Sequence, residues 1–178
     1  MQNGSPLVYV TRGNDLPFYV IGPEHNTNYW NVDFLNEMIT HAIKNFPIDP
    51  KRVIITGLSG GGNGALNYAM KYPEIPAAIV PIGGWADDPS QICNTTDMAV
   101  WLIHNENDHK VSTNSSVRLY DALNECNPPS SKEVKLTLFK DGGHNAWHRI
   151  YDPNHNDWTK DTSIEPFNIY DWMYEQKR

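Results

Sequence analysis

The run Gly57-Leu58-Ser59-Gly60-Gly61 sets one hydroxyl among glycines in the pattern G-x-S-x-G. It lies between a compact β-branched stretch, Arg52 to Thr56, and a helix-forming stretch, Asn63 to Tyr72, that Pro73 stops. A strand-to-helix turn this tight crowds its flanking side chains, so glycines at 57 and 61 let Ser59 stand clear at the strand end. The N–H of Gly60 then falls beside the helix N-terminus, where it can hold a developing oxyanion. A serine hydroxyl is a poor nucleophile at neutral pH and needs a histidine base, itself oriented by a carboxylate. In this setting both are expected later in the chain, acid before base. Asp108 closes the segment His104-Asn105-Glu106-Asn107-Asp108 that follows the apolar run Met98 to Ile103, and His144 follows Gly142-Gly143 after Val134 to Phe139. Glu106 competes with Asp108 for the acid role from the same loop, whereas Asp141 sits too near His144 in sequence to be the better partner.

These side chains need strand ends to carry them. Leu16 to Ile21 (LPFYVI), closed by Gly22-Pro23, predicts a buried strand, and Pro6 to Val10 (PLVYV) a second. From Trp30 to Phe46 apolar residues recur at three- and four-residue steps, predicting a helix with one apolar stripe that Pro47 and Pro50 end. Ala77 to Ile82 and Met98 to Ile103 read as buried strands, Ser115 to Leu123 as a helix, and Val134 to Phe139 as an edge strand because its character alternates. Ile164 to Gln176 reads as a closing helix. Strands alternating with helices predict an α/β fold, a mostly parallel sheet with helices on both faces, spanning residues 1–178 as a single domain. Ser59, Asp108 and His144 then meet at the carboxyl ends of three parallel strands, where sites on such sheets assemble.

Composition narrows the partners. At 178 residues, 39% hydrophobic, the chain suits one core, and 14 Lys plus Arg against 21 Asp plus Glu give a net charge of −7 with no basic run. Nucleic acid and membrane surfaces are therefore not expected partners. The longest apolar runs, such as Ala77 to Ile82, hold about six residues against the roughly 20 of a spanning helix. Met1 to Pro6 lacks the basic start and apolar block of a secretory leader, which leaves the compartment open between cytoplasm and exterior. Cys93 and Cys126 are too few for a disulfide scaffold and lack zinc spacing, so no metal site is expected. The two cysteines both fall towards the amino edge of the sheet, which makes a disulfide between them geometrically feasible. Trp85 and Trp147 fall on loops at the active edge, where they either stack on an aromatic acyl group or sugar ring or simply pack the loops; Trp101 belongs to the core.

At these residues the chain resembles the α/β-hydrolase superfamily, and within it the small esterases of phospholipase/carboxylesterase type related to dienelactone hydrolase, feruloyl and acetylxylan esterases and polyhydroxybutyrate depolymerases. The resemblance rests on DLPFYVIGPEH, PKRVIITGLSGGGNGALNYAMKYPE, PIGG, VWLIHNENDHKV, GGHNAWHRIYD and YDWMYEQKR, in that order. It implies a serine carboxylesterase that needs no cofactor and acts on a small-molecule or carbohydrate-linked ester. Ser59 is then the nucleophile, Asp108 the acid, His144 the base and Gly60 an oxyanion donor. Members of the family carry three more strands before the segment resembling Leu16 to Ile21, the third ending in a His-Gly loop that gives a second oxyanion N–H, and no segment here matches them. The expectation is a truncated hydrolase fold in which Pro6 to Val10, or a second chain in a swapped or homo-oligomeric arrangement, fills the gap. The alternative expectation is a hydrolase-like fragment without turnover, acting as a binding or assembly module.

Overall fold

The computed structural model describes the whole chain except residues 1–4, 12, 14, 25–28, 153 and 156–166. Four strands, β1 (Ile54–Leu58), β2 (Ala78–Ile82), β3 (Ala99–Asn105) and β4 (Val134–Phe139), form one sheet in the order β1-β2-β3-β4, every neighbouring pair parallel. Ile54 pairs with Ala78 and Leu58 with Ile82, while His104 pairs with Leu138 and Asn105 with Phe139. Helix α2 (Val32–Asn45) precedes β1, α3 (Gly60–Lys71) links β1 to β2 and α4 (Asn114–Asn124) links β3 to β4, with a 3-10 turn at Pro89–Thr95 before β3. Two short helices follow β4, α5 (Trp147–Ile150) and α6 (Ile169–Glu175), and α1 (Pro6–Thr11) opens the described chain.

Period-two alternation divides the core. Ala78, Val80, Ile82, Ala99, Trp101 and Ile103 face one side, packed by Ile150, Tyr151, Ile169, Tyr170 and Trp172. Ile79, Val100 and Leu102 face the other, against Leu66, Ala69 and Met70 of α3 and Leu119 and Leu123 of α4. The central strands β2 and β3 are buried on both faces, which explains why they read as unbroken apolar runs. β4 is an edge strand as expected, and Lys135 on it lies over the Trp101 ring at 4.0 Å while Thr137 accepts the indole N–H at 2.9 Å.

Two expected strands are absent. Pro6 to Val10 is helical: Pro6 takes the first helical position, where its missing N–H costs nothing, and the Ser5 hydroxyl accepts the N–H of Val8 at 3.4 Å. Leu16 to Ile21 keeps its alternation, with Leu16, Phe18 and Val20 half-buried and Tyr19 and Ile21 exposed, but it joins no ladder. An alternating run becomes a strand only when it pairs with another, and Pro17 withholds one of its donors. Leu16 and Phe18 instead pack on the apolar face that α6 covers, Phe18 edge-on to Tyr174. β1 therefore ends the sheet among the described residues, half-buried along its length, paired with β2 and with neither upstream segment. The start of the closing helix expected from Ile164 lies outside the described residues, and α6 runs from Ile169.

Cys93, in the 3-10 turn, and Cys126, just after α4, are joined by a disulfide with Cα atoms 5.6 Å apart. The loop it closes, a separation of 33 residues, contains β3, Asp108 and α4. Chain-entropy arithmetic for a loop of that size gives about 3–4 kcal/mol. Cys126→Ser is expected to lower the unfolding free energy by about that amount in urea, and a variant as stable as the oxidised parent would contradict it.

Candidate active site

Ser59 stands between β1 and α3 at φ 52° and ψ −117° and is the one non-glycine residue with positive φ among the described residues. Such a conformation costs about 1–3 kcal/mol and persists only where its surroundings over-determine it. Here they do. The Ser59 N–H donates to the Ile82 carbonyl at 2.8 Å, and the Ser59 carbonyl accepts the Asn63 N–H at 3.0 Å, opening α3. A Cβ on Gly57 would meet the Gly61 carbonyl carbon and oxygen at 2.3 Å, so the chain recrosses itself at a distance only glycine allows. A Cβ on Gly61 would meet nothing within 4 Å; its contribution is its backbone. Gly57→Ala is thus expected to cost about 3 kcal/mol or more, with Gly61→Ala neutral, when both are unfolded in urea; equal stability of the two variants would contradict this.

The end of β2 supplies a floor. A Cβ on Gly84 would come within 2.7 Å of the Gly62 backbone, so the Gly83-Gly84 turn lies directly against the first turn of α3. Gly83, at φ 56°, faces the Asp108 carboxylate and the His144 ring.

β3 and β4 bring the other two groups. His144 Nε2 lies 2.8 Å from Ser59 Oγ, and His144 Nδ1 lies 2.7 Å from Asp108 Oδ2. The Asp108 side chain is 2% exposed and that of His144 20%. Asp108 Oδ1 accepts the N–H groups of Lys110 at 2.8 Å and Val111 at 3.0 Å, which fixes the carboxylate plane. Burial alone would push the Asp108 carboxyl up, but the bonds from His144 and from the Val111 and Lys110 N–H groups outweigh it and hold it below the usual carboxylate range. The carboxylate therefore stays ionised at neutral pH. Glu106, the competing acid, is exposed, and Asp141 pairs with Arg149.

Two asparagines that the sequence does not single out hold the base loop. Asn105 Nδ2 donates to the Gly143 carbonyl at 2.7 Å, and Asn107 Oδ1 accepts the Gly143 N–H at 2.8 Å, gripping the residue before His144 by both its backbone groups. Gly142 and Gly143 adopt φ of 115° and 57°, the left-handed region this approach requires. The signal was a polar run at the end of an apolar strand, but which partner each side chain takes depends on a loop more than thirty residues away.

Trp147, the first residue of α5, stands edge-on to His144 with ring centroids 5.6 Å apart. Trp85 is half-buried in the loop after β2, and its carbonyl accepts Asn63 Nδ2 at 3.1 Å. Gly60 is the first residue of α3, so its N–H lacks an intrahelical acceptor. Together the groups form a buried carboxylate, an imidazole and a hydroxyl in one hydrogen-bonded line at the carboxyl edge of the sheet, an arrangement suited to acyl transfer.

The phospholipase/carboxylesterase family model matches residues 28–152. S-formylglutathione hydrolase of Rattus norvegicus is 42% identical over 64 residues, a stretch covering 34% of this chain and 23% of that protein. The match thus spans less than a quarter of the length of the curated relative. A solved thermostable esterase superposes with a TM-score of 0.67 at 28% identity, over 83% of this chain and 37% of the other. The acylaminoacyl peptidase of Pyrococcus horikoshii shares the fold, with a TM-score of 0.52 at 21% identity over 63% of this chain and 23% of the other.

Proposed function

The chain belongs to the phospholipase/carboxylesterase family, and on that premise we propose that it is a serine hydrolase cleaving carboxylic esters through Ser59, His144 and Asp108. The observation that carries this reading is the pair of hydrogen bonds at His144, 2.8 Å to Ser59 Oγ and 2.7 Å to Asp108 Oδ2. Asp108 accepts a hydrogen bond from His144 Nδ1–H, which leaves Nε2 free to accept from Ser59. As Ser59 Oγ attacks the ester carbonyl its proton passes to His144 Nε2, and the carbonyl oxygen becomes an oxyanion held by the Gly60 N–H at the positive end of α3. Collapse of the tetrahedral intermediate breaks the bond to the alcohol oxygen, which leaves with the proton from His144. The acyl group remains as an ester on Ser59. Water, deprotonated by His144, attacks that ester; the carboxylic acid departs and Ser59 regains its proton. Asp108 stays ionised throughout and stabilises the imidazolium of each half-reaction.

The substrate class is a small-molecule or carbohydrate-linked ester, and Trp147, beside the base, is the surface against which an aromatic acyl group or sugar ring would stack, with Trp85 on the neighbouring loop. The test is turnover of p-nitrophenyl acetate and butyrate, and of a small thioester, by the purified chain beside Ser59→Ala. Saturable hydrolysis well above the variant is expected. Rates equal to it would refute the reading and leave the fold as a binding module.

A further inference from the structure

His104 is the residue of β3 whose chemistry nothing above employs. It is fully buried, with 0% of its surface exposed, at the strand end four residues before Asp108. Burying an imidazole is costly unless both nitrogens are bonded, and here both are. Nδ1 lies 2.8 Å from the Ser116 hydroxyl on α4. Nε2 lies 3.1 Å from the Val111 carbonyl and 3.3 Å from Asp108 Oδ2, the same oxygen that receives His144. A carbonyl and a carboxylate both accept, so the proton belongs on Nε2, and the Ser116 hydroxyl donates to Nδ1. The titratable groups set against His104 among the described residues are Asp108 and His144. Burial lowers the basicity of His104, against the opposing pull of Val111 and Asp108, and keeps the ring neutral.

We infer that neutral His104 is a positioning residue for the acid: its Nε2–H, shared between Val111 and Asp108, fixes the carboxylate oxygen that orients His144, with Ser116 locking the tautomer. The inference rests on the hydrolase reading for its kinetic consequences but not for its geometry. Asp108 thereby takes three hydrogen bonds, from two backbone N–H groups on Oδ1 and from His144 on Oδ2, with the His104 imidazole 3.3 Å from that same Oδ2, and its freedom to swing away from His144 is reduced. The same strand end grips the base loop through Asn105, so acid and base are referenced to one rigid element.

Three variants of the whole chain test it. His104→Phe keeps a ring and removes both nitrogens, His104→Gln retains a donor near the Nε2 position, and Ser116→Ala unlocks the tautomer. His104→Phe is expected to lower kcat about tenfold with little change in KM. A carboxylate relieved of one donor holds the imidazolium more strongly, so the acid limb of kcat/KM should move up by about half a pH unit. His104→Gln should recover most of both effects. A readout independent of turnover is the far-downfield proton resonance of the His144 Nδ1–H bond to Asp108, expected to move in His104→Phe and to stay in place in Glu106→Gln, whose side chain is exposed. A folded His104→Phe with wild-type pH profile and resonance overturns the inference. If the parent hydrolyses no ester and the resonance still moves, the hydrolase reading fails and the positioning role stands. Should His104→Phe fail to fold, Ser116→Ala carries the test: a smaller shift in the same direction supports the inference, and an unchanged resonance overturns it.

Discussion

Ser59→Ala and His144→Ala are each expected to lower kcat for ester hydrolysis by about 10⁶, and the double variant to lower it no further. The reason is that the two side chains act as one unit: a 2.8 Å bond joins Ser59 Oγ to His144 Nε2, and neither the attack nor the proton transfer exists without the other. Independent roles would multiply, giving the double variant a loss far beyond either single one. The comparison is made by steady-state assay on folded variants, with urea midpoints checked so that an unfolded protein is not mistaken for an inactive one. Multiplicative losses would contradict the shared role, and a Ser59→Ala variant within tenfold of the parent would remove Ser59 from the chemistry.

Asp108→Asn is expected to cost about 10⁴ in kcat while the fold survives. An asparagine at this position donates from its amide towards His144 Nδ1, which moves the ring proton to Nε2 and leaves nothing to accept from Ser59. The two backbone bonds on Oδ1, from Lys110 and Val111, can be kept by the asparagine oxygen, so the loop should hold its shape. Glu106→Gln is the control. Its side chain is exposed, and turnover should stay close to that of the parent. The reverse outcome, a near-normal Asp108→Asn beside a crippled Glu106→Gln, would transfer the acid role.

Much of this site is legible in the sequence because each of its parts follows a strand that declares itself. Ala78 to Ile82 and Ala99 to Ile103 are buried on both faces, so they stand out as apolar runs without any alternation to decode. The polar residues His104 and Asn105 that break the second run lie at the carboxyl edge. Boundaries are less legible: Arg52 to Thr56 reads as the strand, whereas β1 runs from Ile54 to Leu58, because Gly57 pairs opposite Pro81 in the ladder although its residue type signals a turn. The front of the chain misleads for a physical reason. Pro6 to Val10 carries β-branched and aromatic residues, but Ser5 and Pro6 form a helix start, and capping decides the matter over propensity. Leu16 to Ile21 has the right alternation but joins no strand of the sheet, and pairing is not encoded in a segment alone. The roles of His104, Asn105 and Asn107 are hidden for the same kind of reason, since each depends on what another loop brings to it.

The most direct test of the central claim is covalent. A fluorophosphonate reacts only with a serine oxygen already activated as a nucleophile, so the intact chain should take up one adduct, peptide mapping by mass spectrometry should place it on Ser59, and Ser59→Ala and His144→Ala should take up none. An unmodified parent, or an adduct on any other residue, would contradict the account.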